Sequence, residues 1–480
     1  MGDVRTRVLL VHPLGYAEGS RAGSDISRIA SLTPPLGMAG IASYLEREGV
    51  GVEIVDCYAQ PRNSEAVIRD ILVTKRPEVI GFSCVTSNFL DAVRLAGMAK
   101  ALVPGIKTIV GGAHASALRE KVLEGFPEMD FVAVGEGERT LLELVEGREP
   151  AEVKGLVRRA EGGAVFNGYR EDALVLDELP YPAYEKLAGF PHVYKLPIFN
   201  YPKAPNASCN TSRGCPYACS YCDRSVFRRS FRFNSAEYMY EHLKYLRDRF
   251  KVRHINFYDD QFTFNRKRID AFTTMMSDRP LGLTFKCAVR AEHVDEELLR
   301  QMKAAGCWMV SLGIETGDPE LLARHRQNPD LDMLAGKVRM MQRSGLRVKG
   351  LLMIGLPGES EASIRRSMAY VKGLRLDMFN LAKFTPFPGS PVYENIREQG
   401  EFEEDWPRMN CLEFLFIPKG MTREKLDELF IEFHKEYFKQ PHILADYVKM
   451  AWRSPDSYRR FFLNLGDFIR FAVKGKKGSS

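Results

Sequence analysis

Short runs of apolar residues alternate with amphipathic segments along the first 150 residues. The apolar runs predict buried strands at 8–11, 52–56, 79–83, 107–112 and 131–134. Apolar residues at helical spacing predict helices between them at 36–48, 66–73, 90–102 and 138–145. Continuous apolar strands separated by helices are typical of a doubly wound, parallel α/β sheet, which binds ligands beyond the carboxyl ends of its strands.

The same alternation resumes at residue 206 after a polar connector. Strands are predicted near 206 and at 254–258, 284–290, 308–312, 348–354 and 379–384. The intervening segments have helical spacing, so about six β/α units form a partial barrel, whose chemistry is expected at the C-terminal strand ends. The predicted organisation is a sheet domain (1–150), a linker (151–200), a partial (β/α)6 barrel (201–415) and a helical C-terminal region (416–480).

The composition describes an ordinary globular chain. Its 480 residues are 45% hydrophobic and 27% charged, and the net charge of +6 does not indicate a nucleic-acid partner. Nine cysteines are too few, and odd in number, for a disulfide scaffold, which favours a cytoplasmic location. We expect no signal peptide, because residues 1–10 lack its length and cleavage site, and no apolar run reaches the length of a membrane span.

Three cysteines, Cys215, Cys219 and Cys222, lie close together at C-x3-C-x2-C spacing. A closed structural metal site takes four protein ligands, whereas three thiolates suit a [4Fe–4S] cluster with one iron left free. A structural zinc site that also uses Cys209 remains the alternative, although the gap from Cys209 to Cys215 is wider than in a usual zinc knuckle.

This motif, with Gly214 before it and Tyr221 inside it, resembles that of the radical S-adenosylmethionine (SAM) superfamily. The resemblance implies that the free iron chelates SAM and that an electron from an external flavodoxin or ferredoxin-type donor releases a 5′-deoxyadenosyl radical. Further positions match the superfamily's SAM contacts, and with Tyr221 they are Asp259, Asp260, Arg290, Gly313, Glu315, Gly355 and Gly358.

The resemblance gives these positions separate roles. An acidic residue at 259–260 would meet the methionyl ammonium of SAM, Arg290 its carboxylate, and Glu315 the ribose hydroxyls or Arg290 itself. The two glycines Gly355 and Gly358 would leave room for the adenine. The structural alternatives are a helix N-cap at Asp260, an exposed loop arginine, a helix-terminus charge at Glu315 and a simple glycine turn.

The first domain resembles the cobalamin-binding domain that precedes the barrel in the cobalamin-dependent subfamily. The resemblance rests on three loops at predicted strand ends and helix starts, and it implies contacts from Pro35, Leu36, Ser83, Thr86, Gly111, Gly112, His114, Gly135 and Glu136. The chain lacks the Asp-x-His-x-x-Gly sequence of many such domains, so the lower cobalt ligand is unassigned. His12 and His114 are available, but a local hydrogen-bonding role is the alternative, as is a domain that binds no corrinoid.

The segment 384–393 resembles the subfamily of the anaerobic magnesium-protoporphyrin ester cyclase and hopanoid-linked enzymes. The implied function is hydrogen abstraction from an unactivated carbon of a small, apolar or lipid-like metabolite, leading to C-methylation or to oxidative cyclisation or rearrangement. A non-catalytic corrinoid or redox sensor is the rival class. In the tail, Phe461, Leu465, Phe468 and Ala472 share a helical face beside basic residues, which predicts either a helix packed on the barrel or peripheral contact with an anionic membrane.

Overall fold

The computed structural model describes residues 5–15, 31–464 and 466. The first sheet has the order β2-β1-β3-β4-β5-β6-β7, with β1 to β5 parallel and the last two strands antiparallel. Its strands are β1 (Thr6–His12), β2 (Gly51–Asp56), β3 (Val79–Ser83), β4 (Lys107–Gly111), β5 (Phe131–Ala133), β6 (Leu156–Ala160) and β7 (Gly163–Phe166).

Helices cover both faces of this sheet. They are α1 (Leu36–Arg47), α2 (Ser64–Thr74), α3 (Phe89–Leu102), α4 (Ala113–Leu118), α5 (Glu120–Gly125) and α6 (Glu138–Val145). Because successive side chains of a strand point to opposite faces, β1 contributes to two separate cores. Leu9 and Val11 enter one core, and Val8 and Leu10 enter the other.

The segment 151–200, which the sequence assigned to a linker, contributes β6 and β7 to the edge of the first sheet. These strands form a hairpin that turns at Gly162 and Gly163, both with positive φ. The first structural unit therefore extends past residue 150. The apolar signal was weak because Arg158 and Arg159 stand in the middle of β6.

The second sheet has six parallel strands in the order β15-β14-β13-β12-β11-β8. They are β8 (Asn206–Cys209), β11 (His254–Phe257), β12 (Thr284–Val289), β13 (Cys307–Glu315), β14 (Arg347–Ile354) and β15 (Met378–Lys383). A short antiparallel pair, β9 (Ser212–Arg213) and β10 (Arg232–Phe233), stands beside it. The end strands β8 and β15 do not pair with each other, so the barrel is open, and the predicted partial barrel is confirmed.

Helices follow the barrel strands at the expected places. They are α7 (Ala236–Phe250), α8 (Arg266–Asp278), α9 (Glu296–Ala304), α10 (Pro319–His325), α11 (Leu331–Arg343) and α12 (Glu361–Leu374). Each begins at a polar N-cap whose side chain accepts a backbone N–H: Ser235, Asn265, Asp295, Asp318, Asp330 and Ser360. Such caps contribute roughly 1 kcal/mol each and set where the loops above the barrel end.

The C-terminal region packs largely against the barrel. It contains α13 (Ile396–Gln399), the strand pair β16 (Gly400–Phe402) and β17 (Phe416–Pro418), α14 (Arg423–Phe438), α15 (Pro441–Arg453) and α16 (Pro455–Leu463). Leu426, Leu429 and Phe433 of α14 enter the barrel core. The predicted face through Leu465, Phe468 and Ala472 lies outside the described residues. No described helix combines the length and apolarity needed to cross a bilayer.

Candidate active site

The three cysteines lie on the loop that follows β9, at the C-terminal edge of the barrel. All three are free thiols; Cys219 is buried, Cys215 is half-buried and Cys222 is exposed. Gly214 opens the loop at φ +85°, and a Cβ there would lie 2.3 Å from the carbonyl oxygen of Ser230. Only glycine fits this turn, which explains the residue before the first cysteine.

The segment after α10 holds the cysteine loop in place. Ser220 donates its backbone N–H to the carbonyl oxygen of His325 at 3.1 Å, and its hydroxyl lies 2.7 Å from Nδ1 of the same histidine. The backbone N–H of Ala218 donates to Oε1 of Gln327 at 3.1 Å. The cysteines are therefore presented on a loop tied down at two points rather than on a free segment.

The thiols interact with one another and with nearby cations. A hydrogen bond from Cys222 is the largest cause that lowers the pKa of Cys219, to about 5, and Tyr221, Arg290 and Arg326 act in the same direction. The same hydrogen bond raises the pKa of Cys222. The loop thus favours a thiolate at Cys219, and thiolates are the ligands of iron–sulfur clusters.

A closed zinc site lacks its fourth ligand. Cys209 is the last residue of β8 and lies fully buried in the barrel core, where burial raises its pKa. Its charged neighbours are Asp259 and Arg268. Among the described residues, no three His, Cys, Asp or Glu side chains are arranged to hold a single metal ion. A four-iron cluster does not require such convergence, since each thiolate binds a different iron, so the loop fits the cluster better than zinc.

The two neighbouring aspartates after β11 differ in surroundings. The carboxylate of Asp259 accepts hydrogen bonds from the backbone N–H of Thr211 (2.7 Å), the Thr211 hydroxyl (2.8 Å) and the Ser212 hydroxyl (2.6 Å). Asp260 instead lines the cavity described below, and burial together with the charge of Asp259 raises its pKa. Asp259 ties the strand ends together, and Asp260 faces the space where a ligand would bind.

Arg290 lies at the end of β12, within a group of charged and aromatic side chains. Its Nη2 donates to Oε1 of Glu292 at 2.8 Å and to the carbonyl oxygen of Gln327 at 3.2 Å. Its guanidinium carbon lies 3.7 Å from the ring centre of Tyr217, inside the cysteine loop. Arg326 reaches the same Glu292 at 3.5 Å. Two guanidinium groups thus share one carboxylate, which leaves net positive charge beside the cysteines.

Glu315 ends β13 with φ +67°, an uncommon conformation for a residue with a side chain. Its carboxyl group folds back over Gly313, where a Cβ would lie 2.5 Å from its Oε1, so a side chain at 313 would displace the carboxyl group. Burial raises the pKa of Glu315 to about 7, while Arg326 and a hydrogen bond from Tyr221 oppose this shift. Glu315 is thereby connected to the cysteine loop.

The glycines after β14 form a turn around a buried carboxyl group. Gly355 and Gly358 have φ of +92° and +83°. Glu359 accepts hydrogen bonds from the backbone N–H of Gly355 and of Leu356, the latter at 3.1 Å. Burial raises the pKa of Glu359 to about 8. Both the turn and a role at a ligand are consistent with this geometry.

A cavity of about 310 Å³ lies between the first sheet and the barrel mouth. On one side it is lined by residues at the strand ends and at α1, including Leu36, Ser83, Gly111, Gly112, Gly135 and Glu136. On the other it is lined by Tyr258, Asp260, Arg213 and Gly214, directly before the cysteines. Small residues along one wall admit a flat ligand against the backbone, and the volume falls within the usual range of ligand pockets.

Charged residues join the two domains beside this cavity. The guanidinium of Arg213 donates to Glu136 and, at 2.7 Å, to Glu138, and Arg232 donates to Glu136 at 2.5 Å. The two carboxylates outweigh the opposing effect of burial and raise the pKa of Arg213. The turn of the first domain at residues 135–138 therefore contacts the residues that precede the cysteine loop.

The other predicted corrinoid contacts lie outside the cavity lining. Pro35 precedes α1 and its carbonyl oxygen accepts the N–H of Ala39 at 3.0 Å. Nδ1 of His114 lies 3.1 Å from the hydroxyl of Thr86, and its ring packs 4.6 Å from that of Trp406. Burial lowers the pKa of His114 to about 4, and its Nε2 has no hydrogen-bond partner among the described residues. His114 has the local hydrogen-bonding role that the sequence left open.

His12 shows a similar local arrangement at the end of β1. Its Nδ1 lies 3.0 Å from Oδ1 of Asp56, and its ring lies 5.0 Å from that of Tyr58.

Sequence reasoning missed several residues of the site, above all Arg326, Glu292, Tyr217 and His325. Tyr217 had a signal, since it lies inside the cysteine motif, whereas the others belong to no motif and become neighbours only through the fold.

Comparisons with known proteins match both halves of the chain. A family model described as the B12 binding domain matches residues 25–145, and one described as the radical SAM superfamily matches residues 209–371. An uncharacterized methyltransferase of Pyrococcus horikoshii is 28% identical over 430 residues, which cover 88% of this chain and 91% of the relative. The anaerobic magnesium-protoporphyrin IX monomethyl ester cyclase of Rubrivivax gelatinosus is 26% identical over 469 residues, covering 95% and 81%.

A solved structure shares the fold. The radical SAM methyltransferase TsrM from Kitasatospora setae, solved with cobalamin and a [4Fe–4S] cluster bound, has a TM-score of 0.65 and 19% sequence identity. The match covers 82% of this chain and 78% of TsrM. The fold described above is therefore shared, over most of its length, with a protein of known structure.

The chain is an enzyme of the radical SAM superfamily that carries a B12-binding domain ahead of its barrel. Its relatives include methyltransferases and a cyclase. The two domains imply three cofactors, namely a [4Fe–4S] cluster, SAM and cobalamin. The family and the cofactor set predicted from the sequence are confirmed at this level.

Proposed function

We propose that this enzyme cleaves SAM reductively at a cluster held by Cys215, Cys219 and Cys222, and modifies a small molecule with cobalamin bound between the domains. The observation that supports this most directly is the shared cavity. Glycine-rich strand ends line one side of it, and the residues leading into the cysteine loop line the other. Both cofactor regions thus open on one space, as joint action on a substrate requires.

The surrounding residues have the charges that SAM needs. Arg290, held over Tyr217, provides a cation for the methionyl carboxylate, and Asp260 provides an anion for the ammonium group. We assign Glu315, which lies beside Tyr221, to the ribose hydroxyls, and the glycine turn at Gly355 to the adenine. We assign Asp259 to a structural role, because Thr211 and Ser212 already bind its carboxylate.

The chain's own residues hold the cofactors, orient the substrate and shield the reaction from water. When bound, the cluster supplies the electron that breaks a carbon–sulfur bond of SAM, and cobalamin supplies a carrier for a methyl group. The first domain covers the barrel mouth and excludes water there, fixed by Arg213 between Glu136 and Glu138. The exposed Cys222 is where an acidic flavodoxin or ferredoxin-type donor would approach, and the exposed Arg228 and Arg229 on the same loop between β9 and β10 would attract it.

Two reaction types belong to this proposal. Relatives are named as methyltransferases and as a ring-forming cyclase, so both C-methylation and oxidative cyclisation or rearrangement are retained. An apolar or lipid-like metabolite is the proposed substrate, and an exposed apolar stripe on α15 supports peripheral membrane contact. The rival, a non-catalytic sensor, would not need Asp260, Arg290 and Glu315 gathered beside the cysteines.

The test is SAM cleavage by the anaerobically reconstituted full-length protein with a chemical reductant. Cys219→Ala should abolish 5′-deoxyadenosine formation, because it removes one of three cluster ligands. Cys411→Ala is the matched control, since Cys411 is a half-buried cysteine of the C-terminal region outside the loop, and it should retain cleavage. Undiminished 5′-deoxyadenosine formation by Cys219→Ala would refute the assignment.

The products of the wild-type enzyme distinguish the two reaction types. S-adenosylhomocysteine formed together with 5′-deoxyadenosine indicates methylation, because methyl transfer consumes a second SAM. 5′-Deoxyadenosine without S-adenosylhomocysteine indicates cyclisation or rearrangement. Formation of neither product by a protein that holds a reducible cluster would favour the sensor.

A further inference from the structure

The interior surface of the barrel is formed by alternate residues of its strands. On β12, Phe285, Cys287 and Val289 are buried in the core beneath the helices, whereas residues 284, 286 and 288 are partly accessible. The same alternation continues on β13 and β14. Because side chains of a strand alternate between faces, the partly accessible set faces the barrel interior.

Two lysines stand on this interior surface, Lys286 on β12 and Lys349 on β14. The strand between them pairs with both, since Met309 aligns with Lys286 and Ser311 aligns with Lys349. The ammonium groups are close enough for the charge of Lys349 to lower the pKa of Lys286, after burial as the main cause, to about 7. Burial lowers the pKa of Lys349 to about 8.

Neither lysine is neutralised within the described part of the chain. Nζ of Lys349 donates to the amide oxygen of Asn200 at 3.1 Å, and no carboxylate forms a salt bridge with either ammonium group. The nearby Arg347 differs, because Asp446 pairs with it at 2.6 Å. Two neighbouring, partly buried cations without a counter-ion repel each other, and an anion bound between them would relieve this repulsion.

Above Lys349, the interior face of β14 is apolar. On β14, Lys349 is followed on the same face by Leu351 and Met353, and Met353 packs in the cluster of residues that includes Tyr221 of the cysteine loop. Four residues of a strand span about 13 Å. A molecule of that length would extend from the lysines to the level of the cysteines.

We propose that Lys286 and Lys349 bind an anionic group, a carboxylate or a phosphate, at one end of an otherwise apolar substrate. This inference rests on the proposed function, which places the reacting carbon near the cysteine loop. It adds the chemical class of the substrate, which is a molecule with an anionic group at one end and an apolar body that extends about 13 Å from it. The uncompensated lysines select the anion, and Leu351 and Met353 contact the apolar part.

The test is anion binding to the full-length enzyme loaded with cluster, cobalamin and SAM, so that the carboxylate site for SAM is filled. Inorganic phosphate and acetate are titrated separately by calorimetry, and the tighter ligand distinguishes a phosphate from a carboxylate. Lys286→Met and Lys349→Met should each weaken binding about 10- to 100-fold, and the double variant should lose it. Lys349→Arg keeps the charge and should retain most of the affinity.

Lys267→Met is the matched control, because Lys267 is exposed on the outer helix α8, and it should bind as the wild type does. Equal binding by the wild type and the double variant, or no anion binding by the wild type, would overturn the inference. Wild-type 5′-deoxyadenosine formation is measured in parallel. Its absence would count against the proposed function, whereas unchanged anion binding in the double variant would count against this inference alone.

Discussion

At the scale of single residues, neighbouring identical side chains have different roles in this enzyme. The carboxylate of Asp259 accepts three hydrogen bonds from Thr211 and Ser212, whereas Asp260 faces the cavity. The carboxylates of the site are similarly divided: Glu292 neutralises arginines, whereas the buried Glu315 and Glu359 have raised pKa values. Buried acids that hold their protons donate as well as accept hydrogen bonds near a ligand.

Glu359 gives a testable pH dependence of stability. Its pKa is raised to about 8 in the folded protein, so folding takes up a proton between roughly pH 4.5 and 8, and the stability from this group is lost as the pH rises through that window. Glu359→Gln cannot ionise and can still accept the two backbone N–H groups. The variant should therefore gain stability relative to the wild type from pH 6 to pH 9.

The size of that gain is bounded, because each pKa unit corresponds to about 1.4 kcal/mol, so a few kcal/mol is the maximum. The measurement is the thermal midpoint of both proteins at pH 6 and pH 9. Glu361→Gln is the control, since a hydrogen bond from Arg365 lowers the pKa of Glu361, at the start of the next helix α12, so this acid is ionised at both pH values. A stability difference that does not change with pH would show that Glu359 is not protonated in the fold.

Sequence reasoning reached the cysteines and most strand-end residues because each follows a predicted strand or stands in a spaced motif. It did not separate Asp259 from Asp260, although adjacent residues of an extended chain point to opposite sides. It missed Arg326 and Glu292, whose partners lie on other β/α units. Their contact depends on how the barrel closes, which no local pattern encodes.

At the scale of elements, the sequence predicted the bounds of strands with continuous apolar runs and of helices with clear periodicity, but it missed short strands rich in polar residues. The strand β3 and the helix α6 have the predicted bounds, since uninterrupted apolar runs and helical spacing define them. The hairpin of β6 and β7 was missed because β6 carries two adjacent arginines and the edge strand β7 has only four residues. Pairing with β5 outweighs its weak local signal.

The helix α15 has an exposed apolar stripe that argues for membrane contact. Leu444, Val448 and Trp452 are 58%, 59% and 78% exposed and stand four residues apart on one helical face. Lys449 and Arg453 are exposed on the same helix. An apolar stripe beside cations suits the surface of an anionic bilayer.

We expect the full-length protein to float with vesicles that contain anionic lipid. Substituting Val448→Ser and Trp452→Ser together should weaken this binding about tenfold, because both buried areas are lost. Val73→Ser is the control, as Val73 is 56% exposed on α2 of the first domain. Flotation of the double variant equal to that of the wild type would remove α15 from the membrane proposal.

At the scale of the whole molecule, charged contacts place the corrinoid domain over the barrel. Arg213 stands between Glu136 and Glu138, only two residues before Cys215, so the position of one domain is coupled to the start of the cysteine loop. Trp406, from the C-terminal region, packs back on Phe89 and His114 of the first domain. Three distant parts of the sequence are therefore held together, and the contact of Arg213 with Glu136 lies at the cavity.

Removing one of these charges should loosen the assembly. Glu136→Gln leaves Arg213 and Arg232 short of a carboxylate at a site where about four-fifths of each side chain is buried, so we expect a loss of roughly 1–3 kcal/mol. For a chain of this length, that loss corresponds to a thermal midpoint lower by about 1–3 °C. Glu65→Gln, which removes the exposed partner of Arg69, should lower it by about 1 °C or less. Because the cavity lies at this contact, Glu136→Gln should also bind cobalamin more weakly, measured by equilibrium dialysis. A Glu136→Gln protein with wild-type stability and cobalamin affinity would show that the ion pairs do not hold the two domains together.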